Sequence, residues 1–223
     1  MREIVLDTET TGLSAKNGDR LVEIGCIELI NHLPSGETYH QYINPGIPMP
    51  REAQDVHGLS DEFLSDKPGF SEIVDGFLAF VEAAPLIIHN ASFDMGFINS
   101  ELGRVKRDPL PSTQAIDTVL IARKKYPGSP ASLDALCRRF QIDNTARTVH
   151  GALIDAELLA KVYLELIGGR QPGLVLANSS LDALNTKETD RIKRKPRPHQ
   201  PKAEELTAHA DFIAQLQNPI WKK

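Results

Sequence analysis

Five side chains in three separated patches could do chemistry together: Asp7 and Glu9, then Asp94, then His150 with Asp155. Carboxylates and an imidazole are the groups needed to hold two divalent cations and to take a proton from water. Asp7-Thr8-Glu9 follows the apolar run Ile4-Val5-Leu6, which places both acids where a buried strand ends. Side chains two apart on a strand share a face, so Asp7 and Glu9 are expected to project together. Adjacent carboxylates repel each other in a low-dielectric site unless cations compensate them. Oxygen-only ligands select hard ions, Mg²⁺ or Mn²⁺. Taken singly, each patch has a plainer role open to it. An acidic pair can end a strand in a solvated turn, and Asp94 can be the N-terminal acid of a helix opened by Ser92-Phe93. His150 can be a surface polar residue and Asp155 a solvated helical acid. It is the conjunction that points to a metal site.

The elements that must hold these residues follow from hydrophobic patterning. Residues 2–8, 20–30 and 37–44 are predicted strands, and their short connections favour an antiparallel meander. Pro45-Gly46 breaks the pattern, and short helices are expected at 51–56 and 61–65. Ile73, Val74, Phe77, Leu78 and Val81 recur at helical spacing over 71–82. Pro85-Leu86-Ile87-Ile88 is a short buried strand, and a helix over 93–102 carries Asp94 just beyond its end. Ala115-Ile116-Asp117 is a fifth strand, followed by helices at 119–125, 132–140 and 151–166. Asp134 is expected to be an N-terminal acid of the second of these rather than a catalytic group. Antiparallel strands followed by strand–helix alternation predict an α/β fold, a mixed five-stranded sheet with helices on both faces.

The residues around the candidate ligands match a pattern. Asp7-Thr8-Glu9-Thr10-Thr11-Gly12-Leu13, His89-Asn90-Ala91-Ser92-Phe93-Asp94, and His150-Gly151-Ala152 through Asp155 resemble the three motifs of the DEDDh family of 3′→5′ exonucleases. The His150–Asp155 spacing matches the histidine branch of that superfamily rather than the tyrosine branch. The resemblance covers residues 2–167 and implies a ribonuclease H-like fold with two metal ions at the ends of the central strands. It implies that Asp7 bridges both metals and that Glu9, Asp94 and Asp155 complete their coordination. His150 is then the general base, a role that suits imidazole, whose ordinary pKa is about 6.5. The resemblance also places Thr10 near the 3′-terminal nucleotide and Leu13 between the final two bases, with Phe93 and His57 lining the same pocket. Two of these have a second reading: Phe93 as core, and His57 as a cap on the Leu59-Ser60 turn.

Composition bounds what remains. With 223 residues and 41% hydrophobic content, the chain can bury one substantial core and still carry a tail. Cys26 and Cys137 both sit in apolar stretches and are expected to be small buried hydrophobes. No apolar run approaches the roughly 20 residues of a membrane span and the N-terminus lacks a signal-peptide pattern, so a cytoplasmic location is expected. Residues 1–170 carry 16 Lys and Arg against 24 Asp and Glu, whereas the remainder carries 9 against 6. An acidic domain acting on a polyanion fits an enzyme that relies on bound cations and on a partner to present its substrate.

The domain boundary is expected after Gly168-Gly169, with the exonuclease domain at 1–169. Residues 178–202 are rich in polar residues, proline and base, and predict a flexible linker; its run Arg191-Ile192-Lys193-Arg194-Lys195 is either solvated linker charge or a DNA contact. An amphipathic helix is predicted over 203–216, with Leu206, Ala210, Ile213 and Leu216 along one stripe, followed by the lone Trp221. Such a tail is suited to docking on another protein, the alternative being that it folds back on the nuclease.

A DEDDh nuclease with a linker and a docking tail resembles the family of proofreading (epsilon) subunits of bacterial DNA polymerase III. The resemblance implies that the 203–223 tail binds the polymerase alpha subunit. Gln171-Pro172-Gly173-Leu174-Val175-Leu176, within the segment 170–177, resembles a sliding-clamp-binding motif, with Gln171, Leu174 and Leu176 entering a cleft on the beta clamp. Whether a small theta-like subunit binds is not written in the chain. Two other functions are compatible with parts of the sequence: a free-standing 3′ trimming exonuclease acting on RNA or DNA, and a polymerase–clamp scaffold. The docking tail argues against the first and the complete ligand set against the second.

Overall fold

The structure is a computed structural model that describes residues 1–145, 149–168 and 200–215. Five strands form the expected mixed sheet, in the order β3-β2-β1-β4-β5. The strands are β1 (Arg2–Thr10), β2 (Leu21–Ile30), β3 (Leu33–Tyr42), β4 (Leu86–Ile88) and β5 (Ala115–Asp117). Strands β1, β2 and β3 pair antiparallel, while β4 and β5 add in parallel on the other side of β1. The strand carrying the candidate ligands is therefore the central one.

Alternation along β1 and β2 divides the core in two. Ile4, Leu6, Ile24 and Cys26 face the helices α3 (Phe70–Val81) and α4 (Ala91–Arg104). Val5, Ile27 and Leu29 face α5 (Thr118–Lys125), α6 (Leu133–Phe140) and α7 (Ala152–Ile167). Burial on both faces explains why β2 alternates poorly in sequence. Cys26 and Cys137 lie in opposite core layers, both buried and free, so they serve as small hydrophobes. The short helices α1 (Arg51–His57) and α2 (Asp61–Leu64) pack Ala53 and Leu64 into a third, smaller cluster with Val22 and Met49.

Strand β3 starts at Leu33, before the expected residue 37. Asn31 and His32 both have positive φ, 52° and 68°, and make a two-residue hairpin turn whose twist matches the flanking strands. Pro34 and Gly36 disguise the strand in sequence, but β3 is an edge, where proline costs no ladder bond to a second neighbour. Strand β1 likewise runs on to Thr10, because Glu9 and Thr10 pair with Glu23 and Leu21.

Gly25 of β2 lies directly across from Asp7. A β-carbon there would stand 2.4 Å from the Ala152 carbonyl carbon and the Leu153 nitrogen, so the first turn of α7 occupies the space a side chain would need.

The chain divides into two compact units, Met1–Gly173 and Leu174–Lys223. In the second, α8 (Ala203–Gln215) is an exposed helix with Glu204 and Glu205 in its first turn, where acids favour the helix dipole. Leu206 and Phe212 are exposed and Ile213 is half-buried. Gln171, Leu174, Leu176, Leu216, Trp221 and nearly all of the expected linker lie outside the described residues. Among the described residues no helix is long and apolar enough to cross a membrane.

Because the clash at Gly25 is with backbone, Gly25→Ala is expected to cost about 3 kcal/mol of stability in denaturant melts, at the upper end of overpacking penalties. Any activity that depends on Asp155 should fall further than the folded fraction does, since the displaced element carries that residue.

Candidate active site

The site forms where the ends of β1, α4 and α7 meet. Asp7 and Glu9 are half-buried on the α7 face of β1, the face shared with Val5 and Gly25. Thr8 points the other way, and its hydroxyl donates to Asp94 Oδ1 at 2.7 Å. Asp94 lies in the first turn of α4, 3% exposed. The start of α4 is pinned by Asp117 at the end of β5, which accepts from the Asn90 and Ala91 amides at 3.3 and 3.2 Å. Asp155 comes from the first turn of α7, also 3% exposed. His150 precedes that helix; its backbone amide donates to the Val56 carbonyl at 3.2 Å, and its Nδ1 lies 3.3 Å from Asp155 Oδ2.

All five sequence-predicted catalytic side chains line one cavity of about 270 Å³, together with Phe93, His89, Ser132 and Asp134. Ligand atoms of Glu9, His150 and Asp155 lie within 4.8 Å of one another. Carboxylates from separate elements, gathered in a space of this size, fit divalent cations with oxygen ligands. Burial pushes the Asp94 carboxyl up to about 7, against the opposing effect of the Thr8 hydroxyl, with the Asp117 charge adding to the rise. A carboxyl that is so reluctant to ionise alone is one that a cation would stabilise in its charged form.

Asp134 sits in the first turn of α6, where its Oδ1 accepts from Asn144 at 3.1 Å, and it lines the cavity as well. Phe93 lines the cavity while its ring packs on Phe97 at 4.9 Å. The other expected substrate contacts do not line it. Thr10 is buried and its hydroxyl donates to the Gly12 carbonyl at 2.6 Å, while Leu13 is 87% exposed on the loop after β1. His57 is buried at the end of α1, and its Nδ1 accepts from the Leu59 amide at 3.1 Å, the turn-capping contact. Burial lowers its pKa.

Three supporting features escaped the sequence reading. Arg20 bonds both oxygens of buried Glu101 on α4, at 2.5 and 2.8 Å, and the Pro45 carbonyl at 2.8 Å. Its backbone amide bonds the Thr11 hydroxyl at 3.0 Å, so it ties the loop after β1 to the helix of Asp94. Arg20 and Glu101 are 81 residues apart, and no local signal pairs them. Glu23, directly opposite Glu9, is held by His40 Nε2 at 2.7 Å. Gly25 did carry a signal, since glycine inside a strand often marks a close backbone approach.

The raised Asp94 pKa sets a pH dependence. In metal-free protein the folded state holds the Asp94 proton more tightly than the unfolded chain, whose ordinary value is 3.8. That contribution is present in full below about pH 4 and is lost as pH rises through about 7. Chelator-treated protein should therefore lose melting temperature across that window. Asp94→Asn should flatten the slope, and added Mg²⁺ or Mn²⁺ should restore wild-type stability at pH 8.

Residues 4–163 match the sequence model of the Exonuclease (RNase_T) family. The DNA polymerase III subunit epsilon of Rickettsia felis is 47% identical over 223 residues, covering 97% of this chain and 97% of that protein. Its counterpart in Salmonella typhimurium is 49% identical over 177 residues, 76% of this chain and 72% of the relative. Among solved structures, the nuclease domain of 3′hExo, a DEDDh family member bound to rAMP, superposes with a TM-score of 0.65 at 16% identity. That likeness covers 74% of this chain and 91% of the other, and at such identity it shows the fold.

Proposed function

This chain belongs to the exonuclease family, and we propose that it is the 3′→5′ proofreading subunit of a bacterial replicative DNA polymerase, acting in the cytoplasm. The observation that carries the reading is the convergence of Asp7, Glu9, Asp94, His150 and Asp155 on one cavity. The similarity to polymerase III epsilon subunits runs over 97% of the chain, well past the end of the exonuclease match at residue 163. That extent favours a polymerase subunit over a free-standing trimming enzyme.

Asp7, Glu9, Asp94 and Asp155 would hold two divalent cations, Mg²⁺ or Mn²⁺. Such a pair supplies a more acidic water and stabilises charge on the phosphate. His150 accepts the proton of the attacking water. As the water oxygen bonds to phosphorus, the P–O3′ bond breaks; a nucleoside 5′-monophosphate leaves and the shortened strand keeps a new 3′-hydroxyl. Phe93 bounds the terminal nucleotide, and Leu13 stands between the last two bases. The position of Phe93 in the cavity and the exposure of Leu13 support this assignment.

The tail supplies the tether. Leu206 and Ile213 of α8, with Leu216 and Trp221, dock on the polymerase alpha subunit, and Gln171, Leu174 and Leu176 dock on the sliding clamp. The exposed Leu206 on the amphipathic helix α8 supports the first contact.

The test is stepwise shortening of 5′-labelled DNA in Mg²⁺ and in chelator. Asp7→Ala should abolish cleavage, and His150→Gln should lower kcat about 10²- to 10⁴-fold. Addition of alpha subunit should stimulate removal of a mismatched primer end. Cleavage of RNA alone, indifferent to alpha, would instead identify a trimming nuclease. Deletion of residues 203–223 should abolish alpha binding in a pull-down while single-stranded DNA is still degraded at the full-length rate.

A further inference from the structure

A second cleft, of about 730 Å³, adjoins the active-site cavity and shares His89 and Ser132 with it. One wall is α5, with Val119, Leu120 and Arg123 spaced to share a helix face; the facing wall is the loop Ser129–Ser132. It lies beyond the carboxyl ends of the parallel strands β4 and β5, where open α/β sheets place their ligands. Its volume is in the range of about 300–1,000 Å³ typical of ligand clefts.

The groups in this cleft suit a nucleotide chain. Arg123 is exposed, and among the described residues no carboxylate pairs with it. Lys125 is committed elsewhere, bonding the Glu165 and Leu166 carbonyls at 3.0 and 2.9 Å, Arg139 stacks on Tyr126 at 4.3 Å, and Lys124 does not line the cleft. The one carboxylate in the cleft, Asp117, is engaged by three backbone amides, of Asn90, Ala91 and Val119, which offset its charge. Leu120 is 63% exposed beside Arg123, an apolar surface next to a free cation. A guanidinium for phosphate with apolar surface for a base is the pairing that single-strand grooves use.

Direction follows from the layout of the active-site cavity. Phe93, which bounds the terminal nucleotide, stands on α4, while Ser132 and Asp134 line the α6 side. The second cleft is continuous with that cavity at His89 and Ser132, and a strand whose 3′ end occupies the cavity can continue only in the 5′ direction. We propose that this cleft binds the single-stranded DNA immediately 5′ of the scissile phosphodiester, with Arg123 on a backbone phosphate and Leu120 against a base. The proposal rests on the exonuclease reading. It makes Arg123 and Leu120 determinants of how many unpaired nucleotides the enzyme requires.

The test compares wild type with Arg123→Ala and Leu120→Ser on oligothymidylates of two, three, four and six nucleotides, at several salt concentrations. For Arg123→Ala the loss in kcat/KM should grow with length from two to four nucleotides and reach about tenfold, mainly in KM, as for a lost charged hydrogen bond. The salt dependence should weaken by about 0.7 in log–log slope, one phosphate contact on a single strand, and Arg123→Lys should restore it. Leu120→Ser should raise KM over the same lengths with the salt slope kept. A loss equal at all lengths, or no loss at the longer ones, would overturn the cleft assignment while leaving the nuclease intact. Wild-type protein that cleaves none of the substrates would overturn the exonuclease reading along with it.

Discussion

The contact on which the site depends is between two stretches of backbone: the first turn of α7 lies against β2 where Gly25 has no side chain. Gly25 pairs with Asp7, so the helix enters beside the first of the strand's two carboxylates. That single approach sets the position of Asp155 and, one step before the helix, of His150. A carboxylate pair on a strand could otherwise face solvent. Here the helix brings a third carboxylate and an imidazole over them, and the cavity becomes a place where negative charge is concentrated by geometry.

Concentrated charge has to be held before any cation arrives. The structure does this with restraints distributed around the site. Thr8 donates to Asp94, the Asn90 and Ala91 amides tie the head of α4 to Asp117, and the Arg20–Glu101 pair joins that helix to the loop after β1. Glu23 is kept occupied by His40 next to Glu9. Each restraint holds an acidic group at a fixed place, so bound cations would gain electrostatic energy without first having to order their ligands. The same logic fits an acidic domain acting on a polyanion: on the proposed function, attraction would come locally from metal, from cations such as Arg123, and from tethering to a polymerase.

Much of this was legible in one dimension because it is local. Asp7 and Glu9 share a face because of strand periodicity, and helices at 71–82 and 151–166 followed from apolar spacing, displaced by a residue in the structure. The early start of β3 was not legible, because Pro34 and Gly36 argue against a strand unless its edge position is known. His57 was ambiguous for a similar reason: the sequence allowed a pocket wall or a turn cap, and the fold gives it the capping bond to Leu59. Asp134 combines a helix-terminal position with a place in the cavity, two roles that a sequence presents as alternatives.

The sequence by itself determined the chemistry: which acids and which imidazole, the hard metals they suit, and the mixed sheet that presents them. These are properties of residue type and of spacing within a few positions, where propensity and periodicity act. Tertiary structure alone decided the arrangement between elements. The Gly25–α7 approach, the Arg20–Glu101 clamp and the cleft running from His89 to Arg123 join residues tens of positions apart. No short-range rule encodes such contacts, since they exist only once the sheet has its strand order and each helix its face.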